Sequence, residues 1–374
     1  MKKYLLIGTI LIVAIIFIAN HKKEDKRNMQ SANYKSGKFH NLEETKQLTE
    51  FSWSMLKESF AKNNKRPSKE LPMQKVSTSF FQSPNLDDCK VIWLGHSALI
   101  IQIEGKHILL DPMLGDNTMP VPFKRGARFN EELPIDIDQL SNIDLAIISH
   151  NHYDHMDKKT IKRLAHKITR FAVPLGVDKY LQKWGIEKQK ISALDWWESV
   201  EINDLKIVAT PSRHFSGRGL FDSNESLWAS WVIQSKKHNL YFSGDSGYGK
   251  HFKQIGEKYG PFDFAMLECG QYDRHWNQIH MLPKQTVQAA IDLKSKRFMP
   301  IHWGVFQLAN HSWDHPVETA FNEAQRKNVS IIVPQMGEIV DINQASYANK
   351  LWWRELQPQT TAEALRPATV SVTR

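Results

Sequence analysis

The chain joins an apolar run to a dense cluster of potential metal ligands in the stretch Ile143-Asp144-Leu145-Ala146-Ile147-Ile148-Ser149-His150-Asn151-His152-Tyr153-Asp154-His155. The apolar part predicts a buried strand of a mixed or parallel sheet. His150 and His152 are two residues apart, so on an extended backbone their side chains face the same way. Asp154 and His155 follow, where the chain turns into a polar, helical segment. Two pairs of ligands at the end of one strand indicate two metal ions rather than one.

Size and composition allow one large folded domain with appendages. The chain has 374 residues, and domains typically span about 50–250 residues. With 12 Trp and 18 Phe, it does not have the overall composition of a disordered protein. Much of the net charge of +9 arises in residues 21–75, and such a basic segment either favours anionic lipid headgroups or is a plain solvated surface. No basic–aromatic array or nucleic-acid motif is present, so we expect no nucleic-acid partner.

The cysteine content is low. Cys89 and Cys269 are the two cysteines of the chain, too few for a disulfide framework, and they form no CxxC motif. We interpret them as free thiols, unless the fold brings them together. Cysteine usage therefore does not fix the redox compartment.

The N-terminus carries an apolar segment. Residues 4–19 contain no charged side chain, and lysines flank them on both sides. The segment is short for a membrane span, which usually needs roughly 17–25 residues, and it fits the long end of a signal-sequence apolar region. Because no convincing cleavage site follows, we predict an uncleaved membrane anchor, with a cleaved signal peptide as the alternative. The flanking charges leave the orientation open. We expect an exported catalytic domain, either periplasmic or otherwise extracytoplasmic.

Strand and helix patterns alternate along the rest of the chain, which indicates an α/β architecture with helices covering sheets. The predicted strands occupy residues 91–94, 98–103, 107–110, 143–149, 170–173, 205–209, 227–234, 239–243, 264–267, 298–302 and 330–333. The predicted helices occupy residues 158–166, 177–184, 284–294 and 317–327.

These patterns divide the chain into four predicted parts. They are a signal or anchor helix over residues 1–20, a basic linker and N-terminal extension over residues 21–83, a catalytic domain over residues 84–356 and a disordered tail over residues 357–374. Within the extension, residues 41–60 have a loose helical periodicity. The tail is rich in Gln, Thr, Ala and Pro and lacks apolar periodicity, so we predict that it is disordered.

Further potential ligands stand at the ends of other apolar strands. His214, Asp245 and His302 each follow such a run, and this shared position matters more than the identity of any one residue. Any one of them could be a turn or surface residue, but three together with the first cluster indicate one site. His96 and Asp111 are lesser candidates, and Asp111 is suited to orient a ligand from behind.

The order of these residues resembles the metallo-β-lactamase fold of dinuclear hydrolases over about residues 90–340. Local strings narrow the resemblance to the N-acylphosphatidylethanolamine phospholipase D branch. These strings are Trp93-Leu94-Gly95-His96-Ser97, Asp111-Pro112, the HxHxDH motif, His214-Phe215-Ser216-Gly217-Arg218-Gly219, Leu227-Trp228-Ala229-Ser230-Trp231 and Phe242-Ser243-Gly244-Asp245-Ser246-Gly247. The resemblance implies a four-layer αβ/βα sandwich with two zinc ions in a cleft along its edge.

The resemblance also assigns roles to individual residues. It implies that the first Zn²⁺ is held by His150, His152 and His214. It implies that the second is held by Asp154, His155 and His302. Asp245 would bridge both ions, and Asp154 and Asp245 would thus belong to the catalytic centre. His280 matches a histidine that the family places near the substrate, which implies a positioning or acid role; a histidine at a helix start is the plain alternative.

The implied reaction is hydrolysis of a phosphodiester bond in a membrane phospholipid, which releases phosphatidic acid and an N-acylethanolamine. Three alternatives stay open: a lactonase, thioesterase or β-lactamase on the same fold, a membrane-tethered zinc-containing binding protein without catalysis, and, less favoured, a nuclease.

The expected partners are the phospholipid substrate and the membrane surface, and a homodimer stays open. Apolar surface for a lipid could come from Phe215, Leu220, Phe221, Trp228, Trp231, Trp276, Met281 and Trp303, some of which we assign to core packing.

Overall fold

Two mixed β-sheets lie face to face at the centre of the molecule. The computed structural model describes residues 26–48, 64–82, 85–120 and 126–356. Within these residues a seven-stranded sheet packs against a six-stranded sheet, and a two-stranded hairpin lies beside them. Helices cover the outer face of each sheet, which confirms the predicted α/β architecture.

The seven-stranded sheet has antiparallel neighbours on one side and parallel neighbours on the other. In spatial order its strands are β15 (Ile339–Asp341), β3 (Cys89–Gly95), β4 (Ala98–Ile103), β5 (Lys106–Leu110), β6 (Ile143–Ile147), β7 (Ile168–Pro174) and β8 (Ile191–Leu194). The pairs from β15 to β5 are antiparallel, and the pairs from β5 to β8 are parallel. The strand of the ligand motif, β6, therefore lies inside the parallel half, with a neighbour on each side.

The six-stranded sheet has the same mixed character. In spatial order its strands are β14 (Phe298–Ile301), β13 (Phe264–Glu268), β12 (Asn239–Phe242), β11 (Ser230–Gln234), β10 (Leu205–Thr210) and β9 (Ser199–Ile202). The pairs β14–β13 and β13–β12 are parallel, and the others are antiparallel. The parallel strands β12, β13 and β14 all end at one edge, which is where the sequence places Asp245 and His302.

The helices complete four layers. They are α1 (Lys26–Gln30), α2 (Ser79–Gln82), α3 (Lys158–Leu164), α4 (Asp178–Lys183), α5 (His251–Lys258), α6 (Pro283–Asp292) and α7 (His315–Lys327). Helices α3 and α4 pack on the seven-stranded sheet. Helices α5, α6 and α7 pack together on the six-stranded sheet, with α6 against β13.

The alternation of side chains explains why the central strands read as unbroken apolar runs. In β4, Leu99 and Ile101 point into the core between the sheets, whereas Ile100 points into the layer under α3. Both faces of the strand are thus removed from water, and no position in it is left for a charged side chain. The strand is fully buried along its length.

The predicted and the observed elements differ mainly at the edges of the two sheets. Strand β4 coincides with its prediction, and every other predicted strand except one has a counterpart. Residues 330–333 were expected to form a strand and do not; they contribute only an isolated bridge between Ile331 and Phe298. The patterns missed β8, β9 and β15, because these strands are short and, in β9, largely exposed, so their burial periodicity is weak. Helix α5 and the hairpin of β1 (Tyr34–Lys35) and β2 (Lys38–Phe39) were also missed.

Part of the predicted linker belongs to the folded body. Phe39 and Leu71 are buried in the core between the sheets, and the Phe39 amide donates to the Asn224 carbonyl oxygen at 2.8 Å. The helical periodicity predicted for residues 41–60 is not realised over residues 41–48, which form no helix. Residues 49–60 lie outside the described residues, as do the predicted anchor and the predicted tail. No helix among the described residues is long and apolar enough to cross a bilayer.

Candidate metal centre

The HxHxDH motif lies in a short loop between β6 and α3. The loop is pinned at its start, where the Ser149 amide donates to Oδ1 of Asp111 at 2.7 Å and the Ala229 amide donates to the Ser149 carbonyl oxygen at 2.9 Å. It is pinned at its end by Asp157, whose carboxylate accepts hydrogen bonds from the amides of Lys159 and Thr160 at the start of α3. The ligand side chains therefore project from a backbone that has little freedom to move.

The first group of donor atoms contains three imidazoles and one carboxylate. They belong to His150, His152, His214 and Asp245, and one ligand atom of each lies within 4.8 Å of all the others. Nε2 of His150 lies 2.8 Å from Nδ1 of His152, and Nε2 of His214 lies 3.2 Å from the same atom. Three ring nitrogens thus converge on one point, as the predicted first ion requires.

The second group lies beside the first. It contains Asp154, His155 and His302, as predicted, and also His96. Oδ2 of Asp154 lies 3.5 Å from Nε2 of His155 and 3.0 Å from Nε2 of His96. The sequence ranked His96 as a lesser candidate, and its position after the Gly95 turn at the end of β3 was the available signal.

Asp245 stands between the two groups. Its Oδ2 lies 3.7 Å from Nε2 of His214 in the first group and 3.1 Å from Nε2 of His155 in the second. Its approach depends on Gly244, which has a φ of +54°, and a Cβ there would lie 2.4 Å from Cβ of Ser149. Asp245 therefore lies within reach of both groups, and that it bridges two ions stays a prediction.

A third group was not foreseen from the sequence. It joins Asp245 and His302 to Glu268 and His280. Glu268 is the last residue of β13 and is fully buried, so it stands at a strand end, as the predicted ligands do. Its Oε2 accepts from the Ser246 amide at 2.7 Å, and its Oε1 forms a hydrogen bond with Nδ1 of His280. The signal was an acidic residue at the end of an apolar run.

Outer partners fix the orientation of the rings. Oδ2 of Asp111 lies 2.7 Å from Nδ1 of His155 and accepts from Oγ of Ser149 at 2.6 Å. The same Oγ lies 2.9 Å from Nδ1 of His150, and Nδ1 of His214 lies 2.9 Å from the Ile279 carbonyl oxygen. Because one nitrogen of each ring is engaged from behind, the other is directed at the cluster. Asp111 thus lies where its expected orienting role requires.

Burial keeps most of the clustered histidines neutral. Desolvation lowers the pKa of His152 to about 3 and that of His96 to about 4. It also lowers the pKa of His150, His214 and His302 well below the usual value. A neutral imidazole keeps a lone pair on one nitrogen, which is the form that binds metal ions.

The carboxylates and His155 behave differently. Burial lowers the pKa of His155, but the charges of Asp245, Asp154 and Asp111 outweigh burial and hold this pKa well above its usual value. Burial raises the pKa of Asp245 to about 7. Burial also acts to raise the pKa of Asp154, but His155 and His96 hold it well below its usual value. The raised pKa of His155 reflects three carboxylates around one ring, and a metal cation at this place would take over the balancing of their charge.

The clustered donor atoms are those expected of a catalytic metal site. Nε2 of His155 and Oδ1 of Asp245 are buried and have no partner in hydrogen-bonding geometry within the described residues, although His155 and Asp245 approach to 3.1 Å. Buried polar atoms of this kind are uncommon in folded proteins unless something else binds them. The clustered donors are nitrogen and oxygen atoms without sulfur, as in catalytic rather than structural zinc sites. That these residues bind metal stays a prediction.

A cavity of about 330 Å³ opens over the cluster. Its inner end carries ligand residues and His280, and its wall is largely apolar. The lining residues are Gln47, His152, Asp154, Phe215, Asp245, Gln271, Trp276, Ile279, His280, His302 and Leu308. Of the apolar residues considered from sequence, Phe215 and Trp276 line this cavity, whereas Trp228, Trp231, Met281 and Trp303 are core residues.

The N-terminal segment borders the site. Asn41 forms hydrogen bonds with the backbone of His214, and Nε of Arg213 donates to Oγ1 of Thr45 at 3.0 Å. Gln47 reaches the cavity itself. The sequence assigned these residues to a linker, and an isolated Asn in a polar stretch carries no signal of such a role.

The two stacked mixed sheets and the ligands at their common edge define a metal-dependent hydrolase of the metallo-β-lactamase fold. The family model described as "Beta-lactamase superfamily domain" matches residues 106–303, and the chain belongs to this family. Within it, the chain is of the N-acylphosphatidylethanolamine phospholipase D-like branch that its sequence strings indicate.

Named relatives support this placement. "Uncharacterized protein Rv0906" of Mycobacterium tuberculosis is 36% identical over 87% of this chain and 88% of its own length. "N-acyl-phosphatidylethanolamine-hydrolyzing phospholipase D 1" of Caenorhabditis elegans is 30% identical over 72% of this chain and 80% of its own length. The structure of an isothiocyanate hydrolase from Delia radicum gut bacteria superposes with a TM-score of 0.53 at 19% identity, over 67% of this chain and 98% of that one, and shows the fold alone.

Proposed function

We propose that the protein is a dinuclear zinc phosphodiesterase of the phospholipase D type, which hydrolyses a membrane N-acylphosphatidylethanolamine to phosphatidic acid and an N-acylethanolamine. The observation that carries the proposal is the position of Asp245 between two groups of ligand atoms, directly beneath an apolar-walled cavity. The printed name of the C. elegans relative supports the choice of substrate.

The proposal divides the clustered residues between two zinc ions as the resemblance implies. His150, His152 and His214 would hold one ion. Asp154, His155 and His302 would hold the other, and Asp245 would touch both. When bound, a pair of zinc ions supplies a water of lowered pKa and neutralises charge on a phosphoryl oxygen.

The reaction also needs a proton for the leaving group. Attack of hydroxide at phosphorus breaks the bond to the ethanolamine oxygen, and that oxygen must take up one proton. Burial raises the pKa of Glu268 well above its usual value, which favours a protonated carboxyl that donates to Nδ1 of His280. The hydrogen of the imidazole then resides on Nε2, and His280 lines the cavity. We propose that Nε2 of His280 gives this proton to the leaving oxygen while Nδ1 takes up the proton of the Glu268 carboxyl, so that the imidazole stays neutral and a carboxylate remains.

The cavity wall suits the apolar part of a lipid. Phe215, Trp276, Ile279 and Leu308 line it together. Gln271 holds one side of this wall, because its Oε1 accepts from the Leu308 amide at 2.8 Å and its Nε2 donates to the Phe306 carbonyl oxygen at 2.9 Å. Acyl chains placed here would leave the phosphodiester at the polar inner end. The apolar residues 4–19 would, as a membrane anchor, keep the enzyme beside such a substrate.

The test pairs metal analysis with product identification on the purified protein. We expect about two zinc ions per chain and release of phosphatidic acid and N-acylethanolamine in equal amounts from a diacyl N-acylphosphatidylethanolamine. Asp245→Asn should abolish the release, whereas the control Asp263→Asn, which removes a carboxylate that pairs with Lys296 on the surface, should not. Opening of lactones without any phosphatidic acid would overturn the substrate. Absence of turnover on both classes would favour a binding protein.

A further inference from the structure

A turn beside the metal centre displays two large apolar side chains to solvent. Leu220 is 91% exposed and Phe221 is 77% exposed, more than any other large hydrophobic residue that the structure describes. Single exposed hydrophobic side chains are ordinary on protein surfaces. Two adjacent ones at the tip of one loop form a small apolar projection, and such projections commonly mark a surface that contacts something else.

The loop of residues 217–222 holds this tip in a defined shape. The Asp222 carboxylate accepts from the Arg218 amide at 3.0 Å and from the Gly219 amide at 2.7 Å. The hydroxyl of Tyr180 on α4 donates to the same carboxylate at 2.7 Å. Folding the tip inward would break these bonds, so the exposure of Leu220 and Phe221 is built into the loop.

The loop is also tied to the metal-ligand loop. Nη1 of Arg218 donates to three carbonyl oxygens there, those of Asn151 at 2.8 Å, His152 at 3.2 Å and Met156 at 2.7 Å. The Tyr153 hydroxyl donates to the Arg218 carbonyl oxygen at 2.9 Å. One guanidinium therefore connects the base of the tip to the backbone of a predicted ligand, His152.

The tip is close to the cavity. Phe215 lines the cavity, and Leu220 is five residues further along the chain. Five residues span at most about 18 Å, so the tip lies within that distance of a residue that lines the cavity. Lys179 and Lys183 are exposed on α4, the helix that carries Tyr180. Because Tyr180 contacts Asp222 of the loop, basic side chains on the same helix would meet anionic headgroups when the tip enters a membrane.

We propose that Leu220 and Phe221 insert into the interfacial region of a lipid bilayer and seat the enzyme with its cavity facing the membrane. This inference rests on the proposed phospholipid substrate, because a substrate that resides in a membrane must pass from the bilayer to the metal centre. The occupant of the tip is thus a lipid surface with anionic headgroups, rather than a second copy of the chain.

The experiment places a reporter on the tip. Both native cysteines are buried, so an introduced cysteine supplies the accessible thiol. Full-length Phe221→Cys carries an environment-sensitive fluorophore and is reconstituted with vesicles of phosphatidylcholine and phosphatidylglycerol. Leu86→Cys is the matched control, because Leu86 is 70% exposed and packs beside the β4–β5 turn at Gly105, away from the metal centre. We expect spin-labelled lipids to quench the label at 221 and not the label at 86.

Two results would overturn the inference. One is equal, weak quenching at both positions. The other is a change of the label at 221 that follows protein concentration without lipid, which would indicate a second copy of the chain. The two proposals can fail separately. If the label at 221 is quenched but the protein cleaves no phospholipid, membrane insertion stands and the proposed function fails. If the protein cleaves phospholipid but the label is not quenched, the proposed function stands and membrane insertion fails.

A second readout is the preference for membrane-borne substrate. The double variant Leu220→Ser, Phe221→Ser should lower the ratio of hydrolysis of vesicle-borne phospholipid to hydrolysis of a short-chain monomeric analogue by about tenfold or more, since two large apolar contacts with the bilayer are lost. An unchanged ratio would count against the tip, whatever the absolute activity.

Discussion

The Asn41 side chain forms two hydrogen bonds with the backbone of His214: its Nδ2 donates to the His214 carbonyl oxygen at 2.8 Å, and its Oδ1 accepts from the His214 amide at 3.1 Å. The same Oδ1 accepts from Nε1 of Trp228 at 3.0 Å. One side chain of the N-terminal segment thus replaces the backbone partner that a neighbouring strand would give. The position of a predicted metal ligand is fixed by a residue 173 positions away in sequence.

Replacement of Asn41 should therefore affect stability and metal affinity together. Asn41→Ala leaves buried backbone groups of His214 without partners, and we expect a loss of roughly 1–3 kcal/mol in the free energy of unfolding. Urea unfolding and competition with a chelator measure the two effects. Asn343→Ala, which removes an exposed hydrogen bond to Asp87, should change stability by less than about 0.5 kcal/mol. Equal losses of stability in Asn41→Ala and Asn343→Ala would contradict a role of Asn41 in fixing His214.

Asp111 should tune the affinity for the second ion without being a ligand. Asp111→Asn keeps the shape of the side chain but weakens its contact with Nδ1 of His155, and we expect metal affinity to fall about 10–100-fold. Chelator titration of the loaded protein measures this change. Asp144→Asn is the matched control, because the hydrogen bonds that the described residues give Asp144 come from the His107 amide and from Asn203, and neither is a predicted ligand. Unchanged affinity in Asp111→Asn would remove the proposed orienting role.

Glu268 should act by supplying a proton to Nδ1 of His280 as Nε2 gives one to the leaving group. We expect His280→Ala and Glu268→Ala each to lower kcat by roughly 10²–10⁴-fold. Glu268→Gln should keep the hydrogen bonds to Nδ1 of His280 and to the Ser246 amide, but an amide cannot release a proton, so kcat should stay near that of Glu268→Ala. Full activity in Glu268→Gln would contradict the proton transfer.

A leaving-group series separates this role from a purely structural one. A nitrophenyl phosphodiester needs little help from an acid, so the losses in His280→Ala and Glu268→Ala should shrink on that substrate. Glu257→Gln, an exposed change on α5, should leave both rates unchanged. Equal losses on both substrates would contradict acid catalysis by His280.

Burial of His251 should make the protein less stable in acid. Burial and the nearby Arg213 lower the pKa of His251 to about 3. The unfolded chain binds this proton below a pH of about 6.5, whereas the folded protein does not until about 3, so stability falls as pH drops through that window. His251→Gln keeps a partner for Ser246 and should lessen this loss by up to about 1.4 kcal/mol per pH unit. Urea unfolding from pH 7 to 5 measures the slope, and identical slopes in the two proteins would refute the assignment.

The C-terminal turn should stabilise the region of His302. Trp352 is 2% exposed and stacks on Trp303, which follows His302, at 5.5 Å between ring centroids; Trp303 in turn stacks on Trp93 at 5.3 Å. Trp352→Ala should lower the free energy of unfolding by about 3–5 kcal/mol. Trp352→Phe, which keeps a ring in the stack, should lose clearly less. Denaturant unfolding of the two variants compares them, and similar small losses would show that the stack contributes little.

The sequence located most of the strands because their burial is total. Strand β4 is apolar at nearly every position, since its two faces pack into different layers. A continuous apolar run of this kind predicts a buried strand from the sequence alone. Strand β9 is four residues long and only Ile202 in it is buried, so its pattern is too short to predict a strand; its pairing with β10 comes from the tertiary fold. Residues 330–333 have the composition of a strand, yet within them only Ile331 forms a bridge, and it pairs with Phe298 of β14.

What the sequence determined by itself is the ligand motif and the strand ends that carry the other ligands. His150 and His152 are two residues apart in the loop that follows β6, so the pairing of their rings is local in sequence. What only the tertiary structure decided is which distant residues reach the same point: His96, Glu268 and Asn41 join the site through contacts across strands and layers. No periodicity encodes such contacts, because they depend on how two sheets pack, and that packing is settled by the whole core at once.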